Sequence, residues 1–454
     1  MTAEPISIIA HREPEPDTSQ TPHVPQPTDV EKTGLELSML VDLALKTIHF
    51  AGRPTGRQLA DQLCLPFPVV EEIIVFLRQE QAIETVGTSG LGEQAYQYAL
   101  TERGRRKTEE ALDRSHYVGP APVPFSVYID VLKRQSITGI RIDQDTYING
   151  LKHLVLSRKV LAALGPAVNS GSSVLIYGKS GNGKSSVANA VGQMLPGEAL
   201  IPYAVEVHGH IVKVFDPRIH QRIETEPPAE RRVDGKYVSP TGQERRNDKR
   251  WALAKRPAVS VGGELTLADL ELRYSPTSKF YIAPLQWKAN NGLLIIDDFG
   301  RQMIQPQELL NRWIVPMEDG VDHLSLNTGD TVELPFDVLL IFSSNIPPGR
   351  LGDEAFFRRI RHKVEMPNPS VEDYLEILRR VCDARNVPYN EEGARYLLKT
   401  HYDETGRELK SCHPRDLVDL LSDITGFFNE TAVFEPEWID LAASSYFVNT
   451  AEDY

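Results

Sequence analysis

Val174 to Ala190 reads VLIYGKSGNGKSSVANA: an apolar run that stops at a glycine, an eight-residue loop, and a return to helical spacing. Gly178, Gly183, Lys184 and Ser185 occupy the defined positions of G-x-x-x-x-G-K-[ST]. Gly181 adds a position where backbone can approach an anion without a Cβ in the way. Each residue type has its own task. Amides from Gly178, Lys179, Ser180, Gly181, Asn182 and Gly183, with the positive end of the helix through Ser186, surround a β-phosphate. Lys184 reaches the β/γ oxygens, and the Ser185 hydroxyl suits Mg²⁺. The stretch predicts a phosphate-binding loop between a buried strand and a helix.

The 454 residues are enough for two or three domains with separate cores. No apolar run approaches the roughly 20 residues that span a bilayer, so a cytoplasmic location is the default expectation. Cys64, Cys382 and Cys412 are far apart and lack C-x-x-C spacing, which argues against a disulfide framework or a zinc site. A net charge of −14 supplies no global attraction to nucleic acid.

Taken in order, residues 1–33 carry six prolines among polar residues and read as a disordered tail. Residues 34–114 predict an amphipathic helix, a second helix capped by Thr55, a third helix, a hairpin with a glycine-rich tip, and a further helix. That order resembles a winged-helix domain. Its third helix offers Glu71, Glu72 and Glu80 against Arg78, the wrong sign for a phosphate-lined groove. Arg103, Arg105, Arg106 and Lys107 form a basic cluster, so both protein docking and DNA contact stay open. Residues 115–124 hold three prolines and read as a semi-rigid linker. Helical periodicity runs from Ile148 to Leu164. An insertion at about 204–262 contains a strand or hairpin over Ala204–Phe215, then a segment rich in Arg231, Arg232, Arg245, Arg246, Lys249, Arg250, Lys255 and Arg256. A solvated loop and a surface for a polyanion are its two readings. Alternation puts His208 and His210 on one strand face near His220 and Asp216, without a second ligand pair of metal spacing.

Downstream, Gly292 to Gly300 reads GLLIIDDFG, a buried strand ending in two acids. Asp297 is placed to hold Mg²⁺ beside Ser185, and Asp298 to polarise an attacking water. Val338 to Phe342 forms another apolar strand ending near Asn345, which can orient that water. DEAFFRRI, from Asp353 to Ile360, is read as a short helix presenting Arg358 and Arg359. Arg415 opens a helix in a C-terminal helical segment, from which it can reach a nucleotide.

In this order and spacing, GKSGNGKS, LLIIDDFG, Asn345, DEAFFRRI and the PRDL at Pro414 resemble the AAA+ ATPases over roughly 125–450. The resemblance implies an α/β core over 125–368 with a doubly wound parallel sheet, a helical lid over 369–454, and a homo-oligomeric ring, usually hexameric. It implies ATP at subunit interfaces, Arg358 or Arg359 reaching the neighbour's γ-phosphate, and Arg415 sensing from the lid. ELLNRWIVPMEDG (Glu308 to Gly320) and the following hairpin are similar to MoxR-type ring ATPases. The Asp-Asp pair, where most AAA+ sequences have Asp-Glu, is similar to helicase loaders and implies slow turnover. Two expectations follow: an ATP hydrolase remodelling a protein substrate recruited by the winged helix, or an ATP-switched, DNA-associated regulator. A P-loop kinase is disfavoured, since the paired arginines and the Arg415 segment have no acceptor pocket to explain them.

Overall fold

The computed structural model describes residues 23–223, 232–233, 236–237, 247–351 and 357–447. Residues 1–22 of the expected tail, Arg231, Arg245, Arg246, the Arg232 side chain and residues 353–356 of DEAFFRRI lie outside the described residues. Among the described residues no helix is long and apolar enough to cross a membrane.

The central sheet has five parallel strands in the order Ala258–Val261, Gly292–Ile296, Val338–Ser344, Val174–Tyr177, His362–Glu365. Every residue of Gly292–Ile296 and Val338–Ser344 is buried, as uninterrupted apolar runs require of strands covered on both faces. On one face Val187 and Val191 of helix Lys184–Met194 pack on Ile176, Ile295 and Ile341. On the other, Leu309, Leu310 and Trp313 of helix Pro306–Asp319 pack on Leu294, Leu340 and Phe342. This is a doubly wound α/β sheet. Helices Val371–Arg385, Glu391–Leu398, His413–Phe428 and Pro436–Tyr446 follow it around a core of their own that includes Leu378, Leu397 and Leu421.

A second five-stranded sheet includes the start of the insertion. It runs Arg273–Ser275, Phe280–Ile282, His210–Lys213, Ala204–Val207, Val123–Pro124, over a core holding Tyr128, Trp251, Tyr281 and Trp287. Three expectations are corrected here. The insertion stops short of 262, because Ala258–Val261 is an edge strand of the central sheet. His208 and Gly209 form the turn between Ala204–Val207 and His210–Lys213, both at positive φ, so His208 and His210 do not share a strand face. The periodic run from Ile148 to Leu164 is two helices, Gln144–Leu151 and Arg158–Asn169, because Asp143 and Ser157 each accept a backbone N–H and start a helix.

Before the second sheet come helices Leu37–Ala51, Gly56–Leu63 and Phe67–Gln79, the antiparallel hairpin Ile83–Thr88 with Tyr96–Leu100, and helix Glu102–Arg114. Thr55 caps its helix reciprocally with Gln58. The tail and linker pack more tightly than expected. Val24 is buried, and its carbonyl accepts the Asp248 N–H at 2.8 Å. In the linker, Tyr117 and Ala121 are buried, the Ala121 N–H donates to Leu63 O at 2.8 Å, and Val123 joins the second sheet. Prolines make this segment a stiff strut.

The strut is fastened by Arg250, 3% exposed, which pairs with buried Asp248 at 2.8 Å and donates to Thr33 O at 3.0 Å and Pro122 O at 3.1 Å. Arg256 is buried as well, donating to Pro196 O, Gln135 O and Asn291 O. These two arginines are internal fasteners, so neither belongs to a solvated loop or a polyanion surface. Breaking the buried pair from one side leaves Asp248 unmatched. Arg250→Ala is expected to cost about 3–5 kcal/mol in urea unfolding. Lys249→Ala, which removes an exposed 3.8 Å pair with Asp61, is expected to cost less than about 1 kcal/mol.

Candidate functional site

Parallel strands deliver their carboxyl ends to one edge of the sheet, where a ligand crevice can form. Because Val338–Ser344 lies between Val174–Tyr177 and Gly292–Ile296, Asn345 emerges between the phosphate loop and the acid pair. Lys184 Nζ donates to Asn345 Oδ1 at 2.6 Å and to Lys179 O at 2.9 Å, and Asn345 Nδ2 donates to Asp298 Oδ1 at 2.5 Å. Three distant stretches thus form one polar chain. Burial pushes the Lys184 ammonium below its ordinary pKa, and Asp298 and Asp297 pull it part of the way back. Asp298 holds φ at 49°, a left-handed conformation costly for aspartate. The adjacent Asp297 N–H continues the sheet ladder to Val261 O at 2.7 Å, and its carboxylate accepts the Asp298 N–H at 3.0 Å.

Around these groups is a cavity of about 620 Å³. Ser180 to Ser186, Asp297, Asp298, Asn345 and Arg415 form its polar lining. Ser185 and Asp297 offer hard oxygen donors of the kind Mg²⁺ takes. Among the described residues no three His, Cys, Asp or Glu side chains cluster to hold a metal. Magnesium does not need such a cage, since it binds through one or two carboxylates with phosphates and water completing its shell. The donor set fits the ion.

The rest of the lining is largely apolar: Leu154, Val155 and Leu156, with Ile377, Val381 and Ala384 of helix Val371–Arg385, joined by His153, Arg380 and Arg385. Sequence reading missed both walls. Residues 152–157 were hidden inside an apparent helix, and the capping serine Ser157 was the signal that this helix is interrupted. Arg380 ties the walls together by donating to Lys152 O at 2.7 Å.

The helical segment also grips the phosphate loop. The Cys412 N–H donates to Gly181 O at 2.9 Å, and the Ser411 N–H donates to Asn182 Oδ1 at 3.5 Å. Lys179 points away from the cavity and pairs with Glu408. Two glycines are required by contact. A Cβ on Gly181, at φ 87°, would sit 2.6 Å from Cys412 Sγ, and one on Gly178 would sit 2.2 Å from Met366 O. Gly178 therefore seats the loop on the strand, its N–H on Ser344 O at 3.2 Å, and does not line the cavity. Arg415 does line it, with its guanidinium held at 3.0 Å by Asp416.

Arg358 and Arg359 stand elsewhere. They occupy a turn after Phe357 and are not carried by a helix as expected. That turn immediately precedes His362–Glu365, so it lies at the amino edge of the sheet, opposite the crevice. The Arg359 carbonyl accepts from Ser173 Oγ just ahead of the phosphate-loop strand, and its guanidinium pairs with Glu318 at 2.5 Å. Of the basic cluster near the hairpin, Arg103 and Lys107 pair with Glu80 at 3.0 and 2.8 Å. His220 is buried, with Nδ1 accepting the Asp216 N–H and Nε2 meeting Lys288 O, both at 2.9 Å.

Comparison with known proteins adds three findings. A family described as a domain of unknown function, DUF8689, matches residues 370–445, which is the helical segment. No curated protein matches the chain. Among solved structures, NtrX from Brucella abortus in complex with ADP is similar at 14% identity and a TM-score of 0.35, over 71% of this chain and 55% of that one. The Thermotoga maritima RuvB Holliday junction branch migration motor is similar at 14% identity and a TM-score of 0.33, over 66% and 68%. This chain spans little more than half the NtrX chain. The fold class rests on the strand order and register described above.

Where the helix carrying Arg415 begins, His413 is buried and hydrogen-bonds to Tyr402 at 2.9 Å, in contact with Tyr446 and Phe447. Burial holds its pKa down to about 4, below the ordinary 6.5. The unfolded chain therefore takes up this proton first. Stability is full above about pH 6.5 and falls as pH drops toward 4, by up to about 3 kcal/mol. Chemical denaturation at pH 7 and pH 4.5 is expected to show this loss in the wild type, and a smaller loss in His413→Phe.

Proposed function

We propose that this chain is an Mg²⁺-dependent ATP hydrolase of the AAA+ type that works as an oligomer. The observation that carries the reading is a single cavity lined by the phosphate loop, the acid pair and Asn345 and, for the rest, by a largely apolar surface that includes the helical lid. The apolar lining suits a nucleobase and the polar lining a polyphosphate. Loop amides and Lys184 hold the phosphates, with Lys184 exchanging Asn345 for a phosphate oxygen. Ser185 and Asp297 hold Mg²⁺, which when bound neutralises charge on the β and γ oxygens. Asn345 and Asp298 position a water against the γ-phosphorus, and Asp298 takes its proton as the bond to ADP breaks. Arg415 reaches in from the lid.

Arg358 and Arg359 fit a shared site. At the amino edge of the sheet they face away from their own crevice, so a role at γ-phosphate needs a neighbouring copy, and a ring of six is the number the family resemblance suggests. The amino-terminal elements are read as a winged helix that recruits a protein substrate for remodelling. Exposed Val75, Tyr96 and Leu91 beside Glu71 and Glu72 suit a protein better than phosphate backbone. The DNA-regulator reading has less support, since Arg103 and Lys107 share Glu80 and Arg250 and Arg256 are buried, although Arg105 and Arg106 stay exposed.

Nucleotide binding and phosphate release, measured separately, test the assignment. Lys184→Ala is expected to lose both. Asp298→Asn is expected to keep binding while turnover falls by about 100-fold or more. Undiminished phosphate release from Lys184→Ala would overturn the reading.

A further inference from the structure

Two adjacent serines end the strand Val338–Ser344, and they are used very differently. Ser344 Oγ donates to Phe299 O at 2.6 Å and accepts the Ile346 N–H at 3.1 Å. Ser343, 1% exposed, has a hydroxyl with no hydrogen-bond partner among the described residues. A buried hydroxyl without a partner is costly, so its retention calls for an explanation.

Register locates it. Phe342 lies opposite Ile296 on one side, and Ser343 lies opposite Ile176 on the other. One step along the first ladder, Asp297 stands beside Ser343. Leu339 and Ile341 pack with Ile295 and Val187 on the side of helix Lys184–Met194. Alternation puts Ser343 and Asp297 on that same side, beneath the turn that carries Ser185. The Asp297 carboxylate is meanwhile engaged with the Asp298 N–H.

We propose that Ser343 is a positioning residue for magnesium, its hydroxyl donating to the Asp297 carboxylate once that group turns toward the cation. A carboxylate that holds a metal is normally itself hydrogen-bonded, and the unpartnered hydroxyl is the donor in place to do it. The inference rests on the nucleotide-site reading above and extends it to a residue that does not line the cavity. It also separates stability from function: removing the hydroxyl relieves the metal-free protein and weakens the loaded one.

Thermal unfolding of the full chain with ADP, across a Mg²⁺ titration, tests this for the wild type, Ser343→Ala and Ser343→Thr. Ser343→Ala is expected to unfold at an equal or higher temperature without ligand and to bind ADP unchanged in EDTA. Its Mg²⁺ half-saturation should rise by about 10–100-fold, and Ser343→Thr, which keeps the hydroxyl, should stay near the wild type. An unchanged half-saturation in Ser343→Ala, or equal losses in both variants, would overturn the role of the hydroxyl alone. A wild type with no Mg²⁺-dependent stabilisation would overturn the nucleotide-site reading, and this inference with it.

Discussion

The hydrogen bonds from Lys184 through Asn345 to Asp298 exist because one strand is placed between two others. If Val338–Ser344 lay at the edge of the sheet, the phosphate loop and the acid pair would meet directly and nothing polar would stand between them. With the strand inserted, an amide side chain both accepts from the lysine and donates to the aspartate. An amide carries a donor and an acceptor on one planar group, so a single side chain makes both bonds. In the crevice the lysine rests on the amide. The left-handed backbone at Asp298 keeps the second carboxylate within reach of that amide.

Around this centre the molecule divides into a stiff part and a part able to respond. The second sheet, the proline strut and the buried Asp248–Arg250 pair weld the amino-terminal helices to the α/β core. The core of the amino-terminal elements includes Ala204 and Ile211 of the second sheet, so the two share apolar surface. The helical lid is attached to the phosphate loop by a few polar contacts at Gly181, Asn182 and Lys179. Those contacts touch the residues that would carry a nucleotide.

What the sequence disclosed follows from how local each signal is. The phosphate loop, the two apolar strands and their polar tips are contiguous, and their spacing alone placed Lys184, Asp297 and Asn345 together. The second sheet is assembled from segments near 123, 204–213 and 273–282, and no local pattern joins them. Arg250 and Arg256 looked like surface charge because composition does not report burial, and only the fold shows which carbonyls they hold. Ala258–Val261 is four residues long and polar at Ser260, too short for alternation to separate it from a loop. Arg358 and Arg359 were read as a pair on a short helix, but which edge of the sheet they occupy is a property of topology.

The claim that most needs testing is that the arginines at the amino edge serve a site on another copy. The measurement is phosphate release per subunit as a function of protein concentration, for the wild type and for Arg358→Ala and Arg359→Ala separately. The account predicts turnover that rises cooperatively with concentration and collapses in one of the two variants. Turnover independent of concentration and untouched by either change would contradict it and leave a site complete within a single chain.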